Sequence, residues 1–461
     1  MRWPALALAV STSGALSSCA LVLDFDDLTK GDGRVKCTTN AGCDDGNPCT
    51  EDNCDGATGF CEFTPHVLVR VGQRSTLSGD IGRAFRLSMT ATGTRYFLSV
   101  FYETPSKTRE VGLYHWDVGA LDASSVETPP LSQRTNLVLT NPASLASLVT
   151  SDTTPPAIHA YVAAGQPPTV FHLVMDEALA LQQESRQAET DSSYDASSAT
   201  RGPVAWRTDS GVWGAWITPS GGIFIHGGNA PIPAGTPPTI TPSPGATLLA
   251  PLGATTVPGV TWMSDAGSFA RLQNGAGDLM LSECHAQGTP VSLGSAPFVF
   301  QNGWLTIWTR DEGAAGPTLE SGLVACDDSG SCTQPTPNCS NDPSPTRPGV
   351  RNATLQFFKR ESKPSSGYQF AALPEVDAAR QEGAMRIRLR EIDVGSSTST
   401  ELELREISRT KLGGGAAGPD WPVVGVAREG ELSVAWIEPG ADARDVVQWE
   451  RYRVCYPDAS P

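Results

Sequence analysis

The chemistry this chain could carry is concentrated in its 11 cysteines. Cys19 stands alone near the start. Cys37, Cys43, Cys49, Cys54 and Cys61 crowd together, and Cys284, Cys326, Cys332, Cys339 and Cys455 are spread along the rest. With Cys19 set aside the remaining cysteines are even in number, which suits disulfides formed in an oxidising compartment. Each of the two groups is odd, so if all pair, at least one bridge joins the early cluster to the later sequence. Cys326, Cys332 and Cys339 have spacings that fit no common zinc pattern, and a local bridge is expected there. Among the early cysteines lie Asp44, Asp45, Asn47, Glu51 and Asp52, followed by Asp55. These are hard oxygen donors of the kind Ca²⁺ takes, and equally the residues that satisfy tight turns. An EF-hand loop is excluded, because Ala41 stands where its first Asp belongs.

Other candidate chemistry is sparse. The six histidines (66, 115, 159, 172, 226 and 285) include no pair at ligand spacing. His226, before Gly227-Gly228, is the first functional candidate among them, against the plainer reading of a loop or strand-end histidine. The run 413–418, GGGAAG, matches the dinucleotide fingerprint literally. Pro419-Asp420-Trp421-Pro422 follows it, so no helix N-terminus is available for a pyrophosphate, and the run reads as a flexible connector. Signatures of P-loop, HExxH zinc-protease and GxSxG hydrolase chemistry are absent from the sequence.

The first residues set the compartment. Met1-Arg2 and the apolar stretch Ala5–Leu16 form a segment too short for a membrane span, which needs about 20 apolar residues, and suited to a signal peptide. Leu16-Ser17-Ser18-Cys19 then resembles the bacterial lipobox. That resemblance implies cleavage after residue 18, acylation of Cys19 and anchoring in a lipid bilayer through the acyl chains. Ala20 is not the Asp that commonly retains such lipoproteins at the inner membrane, so the outer membrane or cell surface is expected. Residues 1–18 are thus the signal peptide, and 19–36 a tether.

Residues 37–65, CTTNAGCDDGNPCTEDNCDGATGFCEFTP, resemble the small cysteine-rich modules of CxDGNxCTxDxC type on exported proteins of myxobacteria, and more distantly Dickkopf-like N-terminal regions. In its usual form the module implies six cysteines, whereas five are local here. That departure points to Cys61 bonding outward, with Cys455 as its first candidate partner.

The body, residues 66–461, supplies the elements that would position any site. Gly (46) and Pro (36) are abundant, which signals many turns and few long helices. Hydrophobic residues, at 39%, are enough for a core. A unit recurs: a short apolar strand, a Gly turn, then an alternating strand rich in aromatics. Starts near 85, 146, 203, 258, 297, 367 and 422 give a mean spacing of about 56 residues, in the range of four-stranded blades with their loops. Gly93, Gly211, Gly267, Gly303 and Gly430 are expected to supply positive φ at the hairpin turns. In GELSVAWIEP, Leu432, Val434 and Trp436 face one way and Ser433, Ala435 and Ile437 the other. Both faces are largely apolar, as in sheets stacked on both sides. The one helical period is Asp176–Ala188. The expected fold is all-β, a β-propeller of six or seven blades, with a β-sandwich pair as the alternative. The strands His66–Val71 and Val446–Val454 are expected to share one blade, since a ring with unpaired edges is a liability. A Cys61–Cys455 bridge would lock that closure.

Functionally, a net charge of −17 excludes phosphate-neutralising nucleic-acid binding. Thr208-Asp209-Ser210-Gly211 and Ser264-Asp265-Ala266-Gly267, each followed by an aromatic, resemble the Asp-box of sialidase-type propellers. Both lack its upstream Ser/Thr, and the aromatic comes one residue early. Phe85-Arg86-Leu87 resembles that family's arginine motif without its Pro. The resemblance implies clustered Arg and a Tyr nucleophile with an acidic partner. Trp206, Trp213, Trp216, Trp304, Trp308 and Trp436 fall in the repeat and read as inter-blade core, while Trp116, Trp262, Trp421 and Trp449 are freer to meet a ligand. The long segments Gly227–Pro258 and Thr333–Gly349 are too long for plain connectors and read as binding loops or as disordered chain. The expectation is an envelope-anchored binding or scaffold protein, not an enzyme and with no cofactor besides the Ca²⁺ considered above, that meets a protein or carbohydrate ligand through blade loops. The alternatives are a propeller glycoside hydrolase and an outer-membrane assembly component. Arg and acidic residues converging at the channel mouth would favour the hydrolase.

Overall fold

The structure is a computed structural model, and it describes residues 35–455 with internal gaps, the longest being 129–145, 187–202, 228–239 and 334–353. Cys19, Cys284, Cys339, the GGGAAG run and the polar segment after 188 lie outside the described residues. The chain divides into two compact units, Met1–His66 and Val67–Pro461.

In the first unit a 3-10 turn, Asn40–Cys43, precedes a hairpin of strands Thr50–Asp55 and Phe60–Pro65. The register sets Cys54 opposite Cys61, yet the two do not bond to each other. Cys37 bonds Cys54 and Cys43 bonds Cys61, with Cα–Cα distances of 5.7 and 5.4 Å. Each hairpin strand is thereby clamped to a different point of the preceding coil. This overturns the expected Cys61–Cys455 bridge: Cys61 points inward onto buried Cys43. The odd cysteine of the cluster is Cys49, itself disulfide-bonded, as is Cys455.

The second unit contains seven consecutive antiparallel sheets. Their first strands are Arg83–Ala91, Ala146–Thr150, Val204–Thr208, Leu248–Gly253, Thr289–Phe298, Thr354–Lys359 and Asp420–Arg428. Each first strand contacts the next, and the seventh contacts the first. The body is therefore a seven-bladed, propeller-like array. Among the described residues, six sheets have four strands and the third has three, with an isolated Ile223–Ile240 bridge beside its last strand.

The last sheet takes strands Asp420–Arg428, Glu431–Pro439 and Asp445–Val454 from the end of the chain and Leu68–Thr76 from the beginning of the body. The N-terminal strand thus covers an edge that would otherwise lie open. Expected alternation holds in this sheet. Leu432, Val434 and Trp436 enter one core with Tyr368, Phe370 and Leu389 of the sixth sheet. Ala435 and Ile437 enter another with Tyr96, Leu98 and Trp116 of the first. Equivalent cores join the first to the second sheet, the second to the third and the third to the fourth.

First strands are stitched by small polar side chains. The amide of Leu148 donates to Ser88 Oγ at 2.9 Å, that of Ala205 to Ser147 Oγ at 2.9 Å, and Thr150 Oγ1 donates to the Ala91 carbonyl at 3.1 Å. Here a hydroxyl replaces ladder partners that the edge of a first strand lacks.

Several local expectations change. Gly211 and Gly430 do take positive φ, 126° and 73°. Gly93 does not; its turn is closed by Thr92, whose amide donates to the Arg95 carbonyl and whose hydroxyl oxygen accepts the amides of Thr94 and Arg95. The expected helix over Asp176–Ala188 is a turn followed by the strand Leu181–Arg186. Asp176 Oδ1 accepts the amides of Ala178 and Ala180, and buried Leu179 sits at φ 60°, which breaks any helix. The segment Gly227–Pro258 is not one loop, because it contains the strand Leu248–Gly253. The sequence starts at 258 and 367 fall on second strands of their sheets, and 297 falls at the end of a first strand.

Candidate functional site

The first strands enclose a cavity of about 570 Å³ toward their C-terminal ends. The first sheet contributes Met89–Gly93, the second Leu148–Ser151 with Thr153 and Pro156, and the third Ala205–Arg207. Gln356 and Val424–Ala427 complete the lining from the sixth and seventh. The wall is neutral and mixed: threonine and serine hydroxyls and one amide beside Met89, Val149, Trp206 and Val424. Arg207 is exposed and is the one charged side chain among the described lining residues. This is a surface for polar recognition over apolar patches.

Two devices hold the rim. Trp213 Nε1 donates to Thr208 Oγ1 at 3.1 Å and Ser210 Oγ at 3.3 Å, locking the hairpin that carries Arg207. The resembled Asp-box turn is therefore pinned through hydroxyls by its aromatic. Asp209 and Asp265 lie outside the described residues. Arg86, of the resembled arginine motif, is buried with its guanidinium 4.6 Å from the ring centre of Trp421. It serves the joint between the first and seventh sheets as a cation–π contact.

A tyrosine with an acidic partner does exist, at Tyr452 and Glu450. Tyr452 Oη donates to Glu450 Oε2, and Arg74 Nε bonds Glu450 Oε1 at 2.8 Å, with Arg70 at 3.6 Å. Both Tyr452 and Glu450 are only 1% exposed, and they lie on the third strand of the seventh sheet, not on the inner strand. Burial first, and the Glu450 charge second, push the Tyr452 hydroxyl well above its ordinary pKa. A nucleophile needs the opposite shift and access to substrate. The pair is a structural clamp: the tyrosine hydrogen-bonds a buried carboxylate whose charge Arg74 and Arg70 balance.

The cysteine-rich unit brings together Asp44, Asp45 and Asp52, each offering an oxygen within 4.8 Å of the others. These oxygens already serve turns: Asp44 Oδ1 accepts the Gly46 amide at 2.8 Å, Asp45 Oδ1 the Asn47 amide at 2.7 Å and the Thr50 hydroxyl at 2.9 Å, and Asp52 Oδ2 the Asp45 amide at 3.1 Å. Asn47 Oδ1 is taken by the Cys49 amide at 3.0 Å. The donor set suits Ca²⁺ in chemistry, and the same oxygens already accept the turn hydrogen bonds.

Three of the four freer tryptophans are core: Trp116, Trp262 and Trp449 are fully buried, and Trp116 stacks on Trp449 at 4.4 Å. Backbone register sets Cys326 opposite Cys332 in the fifth sheet. His226 is buried and joined to a cluster that sequence spacing did not show. His159 Nδ1 meets His172 Nε2 at 2.9 Å, and Tyr161 Oη meets His226 Nδ1 at 3.1 Å. Strand register and sheet stacking, which spacing along the chain does not encode, bring these four side chains together.

Comparison with known proteins adds little beyond fold. Residues 42–65 match a family described as "Dictyostelium (slime mold) repeat", a similarity confined to the cysteine-rich hairpin. No curated protein matches the sequence. Among solved structures, a protein of unknown function from Dyadobacter fermentans has TM-score 0.44 at 8% identity, covering 84% of this chain and 100% of that one. An α-L-arabinofuranosidase from Fusarium graminearum has TM-score 0.42 at 7% identity, covering 83% of this chain and 98% of that one. The six-bladed fungal lectin of Aleuria aurantia has TM-score 0.40 at 7% identity, covering 82% of this chain and 93% of that one. At these values none of the three bears on what this chain binds or does.

Proposed function

We propose that this chain is an exported lipoprotein, anchored to the bilayer through acylated Cys19 at the outer membrane or cell surface, whose seven-sheet body binds a protein or carbohydrate ligand in the cavity at the C-terminal ends of its first strands. The lining of that cavity carries the reading. Hydroxyls, an amide and Arg207 sit beside apolar wall, and no carboxylate lines it among the described residues. Hydrolysis of a glycosidic bond by the usual route needs a pair of carboxyl groups flanking the scissile bond. Recognition needs only shape, hydrogen-bonding groups and an apolar floor, all of which are present. The disulfides of the N-terminal unit fit an oxidising, extracytoplasmic compartment.

The test uses the natively expressed, detergent-extracted chain against arrays of envelope glycans and surface-protein peptides. Binding is expected, weakened at least tenfold by Arg207→Ala and by Ala205→Trp, which fills the cavity. Equal binding by these variants, or release of cleaved sugar, would overturn the reading. Metabolic labelling with an alkyne fatty acid is expected to mark the wild type and not Cys19→Ala.

A further inference from the structure

Three of the chain's six histidines meet in one dry joint. His159 comes from the strand Ile158–Ala164 and His172 from Thr169–Met175, both in the second sheet; His226 comes from Ile223–Gly227 in the third. The His172 ring stacks on Tyr161 at 4.6 Å and on His159 at 5.2 Å, and it meets His226 edge-on at 5.7 Å. All four side chains are buried, His172 and Tyr161 almost completely. The backbone at Gly214 lies against the Tyr161 ring so closely that a Cβ there would fall 2.3 Å from it.

Titratable neighbours are few. The outer strand Leu181–Arg186 sets Ser185 opposite His172, and Glu184 and Arg186 opposite Leu173 and Phe171, which belong to the alternate face. Among the described residues, Ala146–Thr150 and Gly211–Ile217 contribute no titratable side chain, and the Arg207 of Val204–Thr208 lines the cavity. Register thus sets Val149 and Val174 opposite His159, and Tyr161 and Ser185 opposite His172, with no carboxylate among these partners.

The geometry points to an acid-operated joint: protonation of the His159–His172 pair parts the second and third sheets, and with them the cavity wall that these sheets share. The 2.9 Å contact requires one imidazole nitrogen to donate and the other to accept. Once both rings are charged, neither nitrogen accepts, and two cations face each other in an apolar setting. The strain reaches the wall through register. Val149, which lines the cavity, pairs with His159; Ala205, which also lines it, pairs with Gly214, and Gly214 pairs with His226. Burial lowers the pKa of His159 to about 4 and, with the neighbouring histidines, that of His172 to about 3, from 6.5. Folded pKa values below the unfolded one mean that the stability is fully present above pH 6.5 and is lost as pH falls toward 3.

Hydrogen exchange on the full mature chain at pH 7.5 and pH 4.5, corrected for intrinsic rates, tests this without any ligand. At pH 4.5, amides in 158–175 and 211–227 are expected to lose at least tenfold protection, while those in 95–117 and 431–454 keep theirs. Uniform loss, or none, would overturn the joint. Exchange of histidine C2 hydrogens on the wild type gives the titration of each ring; midpoints for His159 and His172 at or above 6.5 in the intact fold would also overturn it. His172→Phe keeps the stack on Tyr161 and removes one base. It is expected to abolish the local acid response, and an unchanged response in the folded variant counts against the proposal. Should that variant not fold, the two wild-type measurements decide.

Discussion

The two units of this chain reach a fixed shape by different means. The cysteine-rich unit has few buried residues, and the bridges Cys37–Cys54 and Cys43–Cys61, the disulfide at Cys49 and a set of Asx-type turns do the ordering. The body buries aromatic and aliphatic side chains between sheets, with Trp216, Trp262 and Trp436 among its largest fully buried residues. A short segment exposes too much of its surface to be held by burial alone, so covalent closure of the unfolded chain takes its place. The body is large enough to be held by burial, and its covalent links are secondary to its stacked faces. Side-chain chemistry is distributed accordingly: solvated carboxylates in the first unit, enclosed imidazoles and tyrosines in the second.

That contrast can be broken at its covalent end first. The paired substitution Cys43→Ser with Cys61→Ser removes a bridge that spans a sequence separation of 18 residues. Bridges of this loop length are worth about 3 kcal/mol, comparable to everything else holding so small a unit. Amide protection in residues 37–65 is expected to vanish, while the melting temperature of the body stays within about 2 °C. Peptide mapping of the wild type should return Cys37–Cys54 and Cys43–Cys61 as linked pairs and leave Cys49 and Cys455 without free thiols. Melting of both units together would show that the contrast is misdrawn.

The body is broken by a cavity instead. Trp436 is fully buried between the sixth and seventh sheets, and its indole donates to Glu438 Oε1 at 2.7 Å. Trp436→Ala is expected to cost about 3–5 kcal/mol, the range for deleting a large buried aromatic. Denaturant unfolding would read this as a lower midpoint for the body, with the N-terminal hairpin unaffected. A cost under about 1 kcal/mol would mean that the sheet interface is looser than its packing implies.

How much of this was legible depended on which strands speak in sequence. A middle strand such as Glu431–Pro439 is covered on both faces, so its apolar alternation is strong, and Leu432 through Ile437 could be sorted correctly onto two cores. Inner strands such as Leu248–Gly253 (LLAPLG) and Thr354–Lys359 (TLQFFK) carry no clean apolar–polar alternation. That is why two of the seven starts landed on the second strands Pro258–Ser264 and Ser366–Asp377, although the expected six or seven blades include the observed number. Terminal pairing was legible because two lone strands remained at the ends of a ring that needs its edges covered. Disulfide partners were not, because cross-strand neighbours Cys54 and Cys61 each prefer the coil behind them, a choice made in three dimensions. The histidine joint was invisible for the same reason: His172 lies opposite Tyr161 in register, and His226 arrives from another sheet.

The finest test of the comparison concerns the carboxylates of the first unit. Asp45 Oδ1 accepts both the Asn47 amide and the Thr50 hydroxyl, so it acts as a turn acceptor whether or not an ion is near. Asp45→Ala should cost about 1 kcal/mol, the usual net value of such a hydrogen-bonded acceptor. The measurement is thermal unfolding of the hairpin resonances in the presence of a calcium chelator, repeated with millimolar Ca²⁺. An equal cost in both conditions assigns Asp44, Asp45 and Asp52 to turn formation. A cost that grows several-fold with Ca²⁺ makes them ligands, since a bound ion that favours the folded unit stabilises it by mass action and the variant forfeits that gain. In that case the first unit would be held by an ion as well as by sulfur, and its contrast with the burial-driven body would widen.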